Sequence, residues 1–126
     1  MRFATMLFVG VIISNIALAQ QPVRPVTVAE AIKRIDQKVV LQMEVKSTGG
    51  NTNRYLNSTS DFKDASNFTI YIPEAAVPKF KTVRIDDPAK YYKGKTILVT
   101  GTVVLYKEKP QIQVDEPTQI RVVEGK

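Results

Sequence analysis

The longest regular pattern in this chain is the run 95–106, in which apolar residues recur at every second position around Gly101. The residues that follow this period are Ile97, Val99, Val103 and Leu105. A period of two predicts a half-buried strand, and a glycine inside such a strand marks a bulge or a sharp bend. Because a bent strand can belong to both sides of a small closed barrel, this segment favours a barrel.

Four other segments have the character of strands. They are Lys38–Lys46, Arg54–Asn57, Phe68–Ile72 and 111–123, the last interrupted by a proline. Glycine-bearing and polar stretches separate them, which predicts a loop at Ser47–Asn53 and a turn at Lys107–Pro110. The segment 74–93 contains Pro78 and Pro88, so we expect short helical turns there instead of a strand. The sequence thus predicts five strands.

A short helix is expected before the first strand. Thr27 and Glu30 have the spacing of a capping box, in which each side chain accepts a hydrogen bond from the backbone of the other residue. An apolar stripe beyond the box predicts a helix over Val28–Ile35. Residues 20–26 contain two prolines and no clear period, which predicts an extended arm.

Residues 1–19 have the pattern of a secretory signal peptide. A positive charge precedes an apolar run over 3–13, and Ala17 and Ala19 supply small residues at the cleavage positions. The run is shorter than the roughly 20 residues that a transmembrane helix needs, and an uncleaved membrane anchor is the alternative. We therefore expect a chain exported to the bacterial periplasm or the medium, with no membrane span in the mature protein, residues 20–126.

The composition excludes several chemistries. The chain has no histidine and no cysteine, so a Ser-His-Asp triad, a cysteine nucleophile, a disulfide and a zinc site of the usual kind are excluded. No glycine-framed serine motif is present either. Asp61, Asp64 and Asn67 offer oxygen atoms in one stretch, where a solvated loop is the favoured interpretation. We expect no catalytic residue, no cofactor and no metal site, and hence a protein that is not an enzyme.

The charge balance is basic. The chain carries 18 Lys and Arg against 12 Asp and Glu, and the predicted mature part keeps 17 of the basic residues and all 12 acidic ones, a net charge of +5. An excess of this sign suits polyanions such as nucleic acid, acidic polysaccharide or anionic lipid. Because no basic run is longer than two residues, ordinary solubility charge is the competing interpretation.

Three phrases in the strands resemble OB-fold domains of the nucleic-acid-binding, tRNA-anticodon-like superfamily, in particular their small exported bacterial versions. The phrases are G-K-x-I-x-V-x-G at 94–101, P-x-I-x-V at 110–114 and P-x-Q-I at 117–120. The resemblance covers about Val39–Val123. It implies a mainly β, five-stranded Greek-key OB-type barrel as one domain over 27–126, with a short N-terminal helix and a helical or irregular connection between the third and fourth strands.

The resemblance also implies a binding surface. OB folds bind oligonucleotides or oligosaccharides on the face of strands 2 and 3 and on the loops 1–2 and 4–5. Carried onto this chain, the ligand-binding residues are Tyr55, Asn57, Thr69, Tyr71, Arg54, Lys46, Tyr106, Lys107 and Lys109. The period of two agrees with this facing, because it turns Leu56 and Ile70 inward and their tyrosine neighbours outward.

Three hypotheses for the function follow. The first is a module that binds single-stranded DNA, RNA or another acidic polymer. The second is a structural or protein-interaction module with a protein partner in the bacterial envelope. The third is an accessory domain of a separate secreted enzyme, such as a nuclease.

Overall fold

The computed structural model describes residues 24–124. These residues contain seven strands, three short helices and two 3₁₀ turns. The strands are β1 (Lys38–Glu44), β2 (Ser47–Gly49), β3 (Arg54–Asn57), β4 (Thr69–Ile72), β5 (Thr96–Tyr106), β6 (Lys109–Gln113) and β7 (Ile120–Val122). The helices are α1 (Val28–Ala31), α2 (Val77–Lys81) and α3 (Pro88–Tyr92), and the 3₁₀ turns are Glu74–Ala76 and Pro117–Gln119. The expected signal peptide at 1–19 and residues 20–23 of the expected arm lie outside the described residues.

The strands curl into a barrel of mixed pairing. Their order is β1-β5-β6-β4-β3-β2, and β7 pairs with β5 outside this path. Only Val45 and Lys46 separate β1 from β2 in the chain, so the two ends of the strand order are neighbours in one continuous segment. Among the described strands, β4 and β6 pair in parallel and the other pairings are antiparallel. This topology confirms the expected OB-type barrel. The segment predicted as one strand over 111–123 forms β6 and β7, and β2 is a strand that the sequence did not predict.

Alternation along the strands gives the barrel its core. In β1, Leu41 is fully buried while its neighbour Gln42 is exposed. The helical connection after β4 closes on the same core, because Phe80 of α2 and Tyr92 of α3 pack edge to face with ring centroids 6.3 Å apart. Burial of Tyr92 raises the pKa of its hydroxyl to about 12. The prolines at 78 and 88 stand in the first turns of these two helices, as the sequence predicts for the segment 74–93.

Strand β5 changes its partner next to Gly101. Thr102 is the last residue that pairs with β1, and Val103 is the first that pairs with β6. A Cβ atom on Gly101 would lie 2.5 Å from Cγ2 of Ile112, so the backbone approaches the core more closely here than a side chain allows. The glycine is therefore required by packing at the point where one strand serves two sides of the barrel.

The gap between β6 and β7 is filled by the side chain of Gln119. Its Nε2 donates to the carbonyls of Thr100 and Gln113 at 3.0 and 3.3 Å. Its Oε1 accepts from the backbone N–H groups of Asp115 and Glu116 at 2.9 and 3.0 Å. The glutamine of the P-x-Q-I phrase is therefore a structural residue that replaces missing strand hydrogen bonds.

The N-terminal helix is shorter than its pattern predicts. The capping box is present, with Thr27 N–H donating to Glu30 at 2.8 Å and Glu30 N–H donating to Thr27 at 3.2 Å. The prediction of a helix over Val28–Ile35 is wrong beyond Ala31, because the chain must turn into β1 and does so through Asp36 at a φ of 69°. Within residues 24–124, no helix is long and apolar enough to cross a membrane.

The predicted loop Ser47–Asn53 contains a strand. Ser47–Gly49 forms β2 and pairs with β3, with Gly49 opposite Tyr55. The loop prediction rested on local glycine content, and pairing with β3 outweighs that local preference. The predicted turn Lys107–Pro110 is likewise reduced to two residues, because Lys109 and Pro110 already pair with β5.

Candidate functional site

An open cleft of about 790 Å³ lies over the outer face of β3 and β4. Its walls are β2 with the following glycine, the connection 58–68 between β3 and β4, and the β5–β6 turn. Six of the predicted ligand-binding residues line it, namely Tyr55, Asn57, Thr69, Tyr106, Lys107 and Lys109. The barrel thus brings together residues that the chain holds up to 54 positions apart, counted from Tyr55 to Lys109.

Two tyrosines form an aromatic pair at the base of this cleft. Tyr55 and Tyr71 are cross-strand partners in β3 and β4. Their rings stack with centroids 5.5 Å apart and an angle of 28° between the planes. Both side chains are partly exposed, while Leu56 and Ile70 are fully buried on the other face. Tyr55 lines the cleft and Tyr71 supports it from the neighbouring strand.

Asn57 is the most buried polar residue of the cleft, with 4% of its surface exposed. Its Oδ1 accepts from the Thr69 hydroxyl at 3.0 Å and from the Asn67 amide at 3.4 Å. No buried side-chain nitrogen or oxygen lacks a hydrogen-bond partner among residues 24–124. The Asn57 Nδ2 group makes no hydrogen bond within these residues, so it must reach solvent, and Asn57 lines the cleft. The floor of the cleft therefore carries an amide donor held in a fixed orientation.

The connection 58–68 is ordered by side-chain hydrogen bonds to backbone. Asn67 Oδ1 accepts from the N–H and the hydroxyl of Thr59 at 3.2 and 3.0 Å, and Ser47 donates to the Thr59 carbonyl at 2.7 Å. Asp64 accepts from the backbone and hydroxyl of Ser66, and these bonds hold the pKa of the Asp64 carboxyl below its usual value. The segment is therefore a preorganised wall of the cleft.

This wall carries three cleft residues that are absent from the predicted ligand-binding set, Ser60, Asp61 and Phe62. Phe62 has 58% of its surface exposed, and such exposure of a phenylalanine indicates a contact surface when other aromatics stand nearby. Its signal in the sequence is a single aromatic residue inside an otherwise polar stretch. Asp61 caps its own turn by accepting from the Lys63 N–H at 2.9 Å. Within residues 24–124 there is no group of three acidic residues placed to hold a metal ion.

The opposite wall is a tight turn between β5 and β6. Tyr106 and Lys109 are paired, and Lys107 and Glu108 between them have φ of 51° and 67°. Two consecutive positive φ values define a type I′ hairpin turn, which favours Asn-Gly, so the turn is held here by two residues that disfavour it. Tyr106 is 57% exposed, and the Lys107 ammonium lies 5.4 Å from the centre of its ring.

Three predicted ligand-binding residues do not belong to the cleft lining, namely Tyr71, described above, and Arg54 and Lys46. Arg54 donates from Nε to the Asp87 carboxylate at 2.9 Å and also to backbone carbonyls of the turn before β3. Its guanidinium group holds the pKa of the Asp87 carboxyl below the usual value. The same alternation that turns Tyr55 outward places Arg54 on the other side of β3, so the sequence already contained this information. Lys46 is exposed between β1 and β2, outside the cleft lining.

The cleft combines three kinds of chemistry. Tyr55, Phe62 and Tyr106 offer faces for planar groups, and Lys107 and Lys109 offer positive charge. Asn57 and Asp61 of the same lining add an amide donor and a carboxylate. Such an arrangement suits a ligand that is planar, negatively charged at its periphery and equipped with hydrogen-bonding edges.

Comparison with known proteins bears on the fold. No protein-family model matches this chain, and no curated protein sequence matches it. Among solved structures it is similar to OBody AM1L10 bound to hen egg-white lysozyme, with a TM-score of 0.55, 18% identity and coverage of 83% of this chain and 98% of that one.

It is also similar to aspartyl-tRNA synthetase from Entamoeba histolytica, with a TM-score of 0.53, 13% identity and coverage of 82% of this chain and 23% of that one. For asparaginyl-tRNA synthetase from Pyrococcus horikoshii the TM-score is 0.54, the identity 12%, and the coverage 82% and 24%. The chain thus spans about a quarter of each synthetase. Because the identities are low, these likenesses establish the fold alone, and this protein is an OB-fold domain.

Proposed function

We propose that this chain is an exported OB-fold binding module that holds single-stranded nucleic acid in the cleft. The observation that carries the proposal is the meeting of Tyr55, Phe62 and Tyr106 around one cleft beside two lysines. Stacking of a base on an aromatic side chain contributes about 1–3 kcal/mol and accepts any base. Two of the similar structures belong to tRNA synthetases, which supports a nucleic acid as the ligand class.

The charge around the cleft supports the same ligand. Lys107 lies in the β5–β6 turn and Lys109 begins β6, where both can meet phosphates while the bases stack on the aromatic side chains. Each neutralised phosphate of a single strand contributes about −0.7 to the slope of log affinity against log salt concentration. We therefore expect binding that weakens with salt, with a slope of roughly −1.4 from these two lysines. A polyanion without bases would contact the lysines and would make no stacking contact with the aromatic side chains.

The test is fluorescence anisotropy with labelled single-stranded DNA and RNA at two salt concentrations. The predicted mature chain, residues 20–126, contains every residue of the described barrel and is the protein to use. Tyr106→Ala is expected to weaken binding roughly tenfold. Leu105→Ala is the matched control, because Leu105 is the neighbouring residue, is 54% exposed and lies outside the cleft lining.

Heparin and a neutral oligosaccharide serve as competitors in the same assay. Absence of binding at low salt would refute the proposal. Equal losses for the two alanine variants, together with full displacement by heparin, would reduce the binding to general attraction between a basic protein and a polyanion.

Export is supported by the pattern of residues 1–19 and needs its own test. The chain is expressed in a bacterium with a tag after Lys126, and the protein recovered outside the cytoplasm is sequenced from its N-terminus. Gln20 is the expected first residue. Recovery of the intact chain from the membrane fraction would favour the uncleaved anchor instead.

A protein partner is the second candidate function. Phe62, Leu105 and Tyr106 are large hydrophobic residues with more than half of their surface exposed, and one similar OB-fold structure is an OBody bound to lysozyme. An envelope protein, or a secreted enzyme to which this domain is accessory, would use such a surface. Binding to such a partner would tolerate high salt, whereas binding to nucleic acid would not.

A further inference from the structure

We propose that the cleft selects among bases, and that it prefers cytosine and adenine, which carry an exocyclic amino group, over uracil and thymine. Asn57 acts as the hydrogen-bond donor and Asp61 as the acceptor that read the edge of the base. The inference rests on the proposed function, since it names the ligand class of the same cleft. It is argued from an amide N–H of a largely buried asparagine, which has no protein partner within residues 24–124 and reaches solvent, and from a carboxylate of the same cleft lining.

The donor is the Nδ2 group of Asn57. The residue is 96% buried, from an exposure of 4%, and two hydrogen bonds from Thr69 and Asn67 occupy its Oδ1 atom. These bonds prevent rotation of the Asn57 amide by half a turn. A ligand in the cleft therefore meets the Nδ2–H group of Asn57 and not its carbonyl oxygen. A ring nitrogen or carbonyl of a base can accept from it.

The acceptor is the carboxylate of Asp61. One of its oxygens, Oδ1, accepts from the Lys63 N–H at 2.9 Å, and the Asp61 carbonyl accepts from the Thr59 hydroxyl at 2.8 Å. The other carboxylate oxygen makes no hydrogen bond within residues 24–124. A carboxylate in a cleft that binds a polyanion repels the phosphates. Acceptance of a hydrogen bond from a donor of the ligand therefore explains its position better than general charge attraction does.

The four bases in question fall into two groups by the hydrogen-bonding groups on their edges. Cytosine and adenine present an amino donor next to a ring nitrogen acceptor, which complements a cleft that offers both a carboxylate and an amide N–H. In the same stacked position, uracil and thymine present the reverse pattern: a carbonyl oxygen would face the carboxylate, and the ring N3–H would face the amide donor. Repulsion of the wrong partner discriminates as effectively as attraction of the right one.

The test compares two homopolymers that differ at this edge alone. Oligo(dC) and oligo(dU) of equal length share sugar, phosphate and pyrimidine ring, so their affinities differ through the N4 amino and O4 carbonyl groups and the protonation of N3. Measured at pH 7.5, the wild-type protein is expected to bind oligo(dC) about fivefold more tightly. Asp61→Asn is expected to bring the ratio of the two affinities below about twofold.

Asp64→Asn is the matched control. Asp64 belongs to the same connection, carries the same charge and caps its turn by accepting from Ser66, but it lies outside the cleft lining. Each variant removes one negative charge and strengthens binding to both oligomers, so the ratio, and not the affinity itself, is the readout. The Asp64→Asn protein should keep the fivefold preference.

The outcomes separate this inference from the proposed function. If the wild-type protein binds both oligomers equally, or if Asp61→Asn keeps the preference, the base selection is wrong while nucleic-acid binding stands. If neither oligomer binds at low salt, the proposed function fails and the inference fails with it. Circular dichroism of each variant establishes that the barrel is folded in every comparison.

Discussion

Replacing Gly101 by alanine tests the packing that lets β5 serve two sides of the barrel. The added Cβ would lie 2.5 Å from Cγ2 of Ile112, whereas ordinary contact between such atoms is about 3.5–4.0 Å. One of the two strands must therefore move by about 1 Å. Ile112 is fully buried and χ1 of its β-branched side chain is restricted, so we expect that rotation of the side chain does not relieve the contact.

The expected change in the free energy of unfolding is the difference between two opposing effects. Overpacking of a well-packed core costs about 1–3 kcal/mol. The lower conformational entropy of alanine in the unfolded chain stabilises the folded state by about 0.4–1 kcal/mol. Gly101 is not in the left-handed region, so backbone strain adds nothing. We expect Gly101→Ala to lower the free energy of unfolding by about 1–2 kcal/mol.

Urea denaturation followed by circular dichroism measures this loss, with Gly49→Ala as the matched control. A Cβ on Gly49 meets no heavy atom within 4 Å, so that variant should change the free energy of unfolding by less than about 0.5 kcal/mol. Ile112→Leu moves the branch away from Cβ and removes the clashing methyl group. In that background, Gly101→Ala should lose about 1 kcal/mol less.

Two results would refute the reasoning. The first is a Gly101→Ala variant that is as stable as the Gly49→Ala variant. The second is an equal loss in the isoleucine and leucine backgrounds, because the cost would then arise from something other than the contact with Ile112.

Three further predictions concern other local features. Gln119→Ala removes four hydrogen bonds and should lower the free energy of unfolding by about 2 kcal/mol in the same urea assay; a loss below about 0.5 kcal/mol would mean that water replaces them. Lys107→Asn with Glu108→Gly supplies the residues that the turn favours and should raise the melting temperature by several degrees; an unchanged or lower value would contradict the strain. Arg54→Gln should destabilise the protein most at pH 7. Because the pKa of Asp87 is lowered in the folded state, that difference should shrink as pH falls below about 4, and a pH-independent difference would contradict the ion pair.

Much of the fold could be predicted because its signals are local. The capping box at Thr27, the helical turns started by Pro78 and Pro88, and the buried side of β4 each depend on residues a few positions apart. The split between β1 and β2 could not be predicted in this way, since Ser47–Gly49 becomes a strand only through its pairing with β3. The local glycine content predicted a loop, whereas hydrogen bonding to β3 makes this segment a strand.

The candidate site divides in the same way. Tyr55 and Tyr106 could be named as exposed aromatics from alternation and from resemblance. Phe62 could not, because a polar connection has no period that tells which of its side chains turns toward the barrel. Asn57 was predicted on the correct face, but its burial under the connection 58–68 follows from hydrogen bonds to Asn67 and Thr69 that no sequence period reports.

The sequence by itself determined which side of the long strands is apolar, where prolines start the helical turns, and which chemistries are excluded by the lack of histidine and cysteine. These properties follow from side-chain type and from the period of two along a strand. The tertiary structure alone decided that Gly101 packs against Ile112, that the Gln119 side chain bonds to the backbone between β6 and β7, and that Asp61, Phe62 and Tyr106 line one cleft. Such contacts arise only when the barrel closes, because closure brings together residues that are remote in sequence.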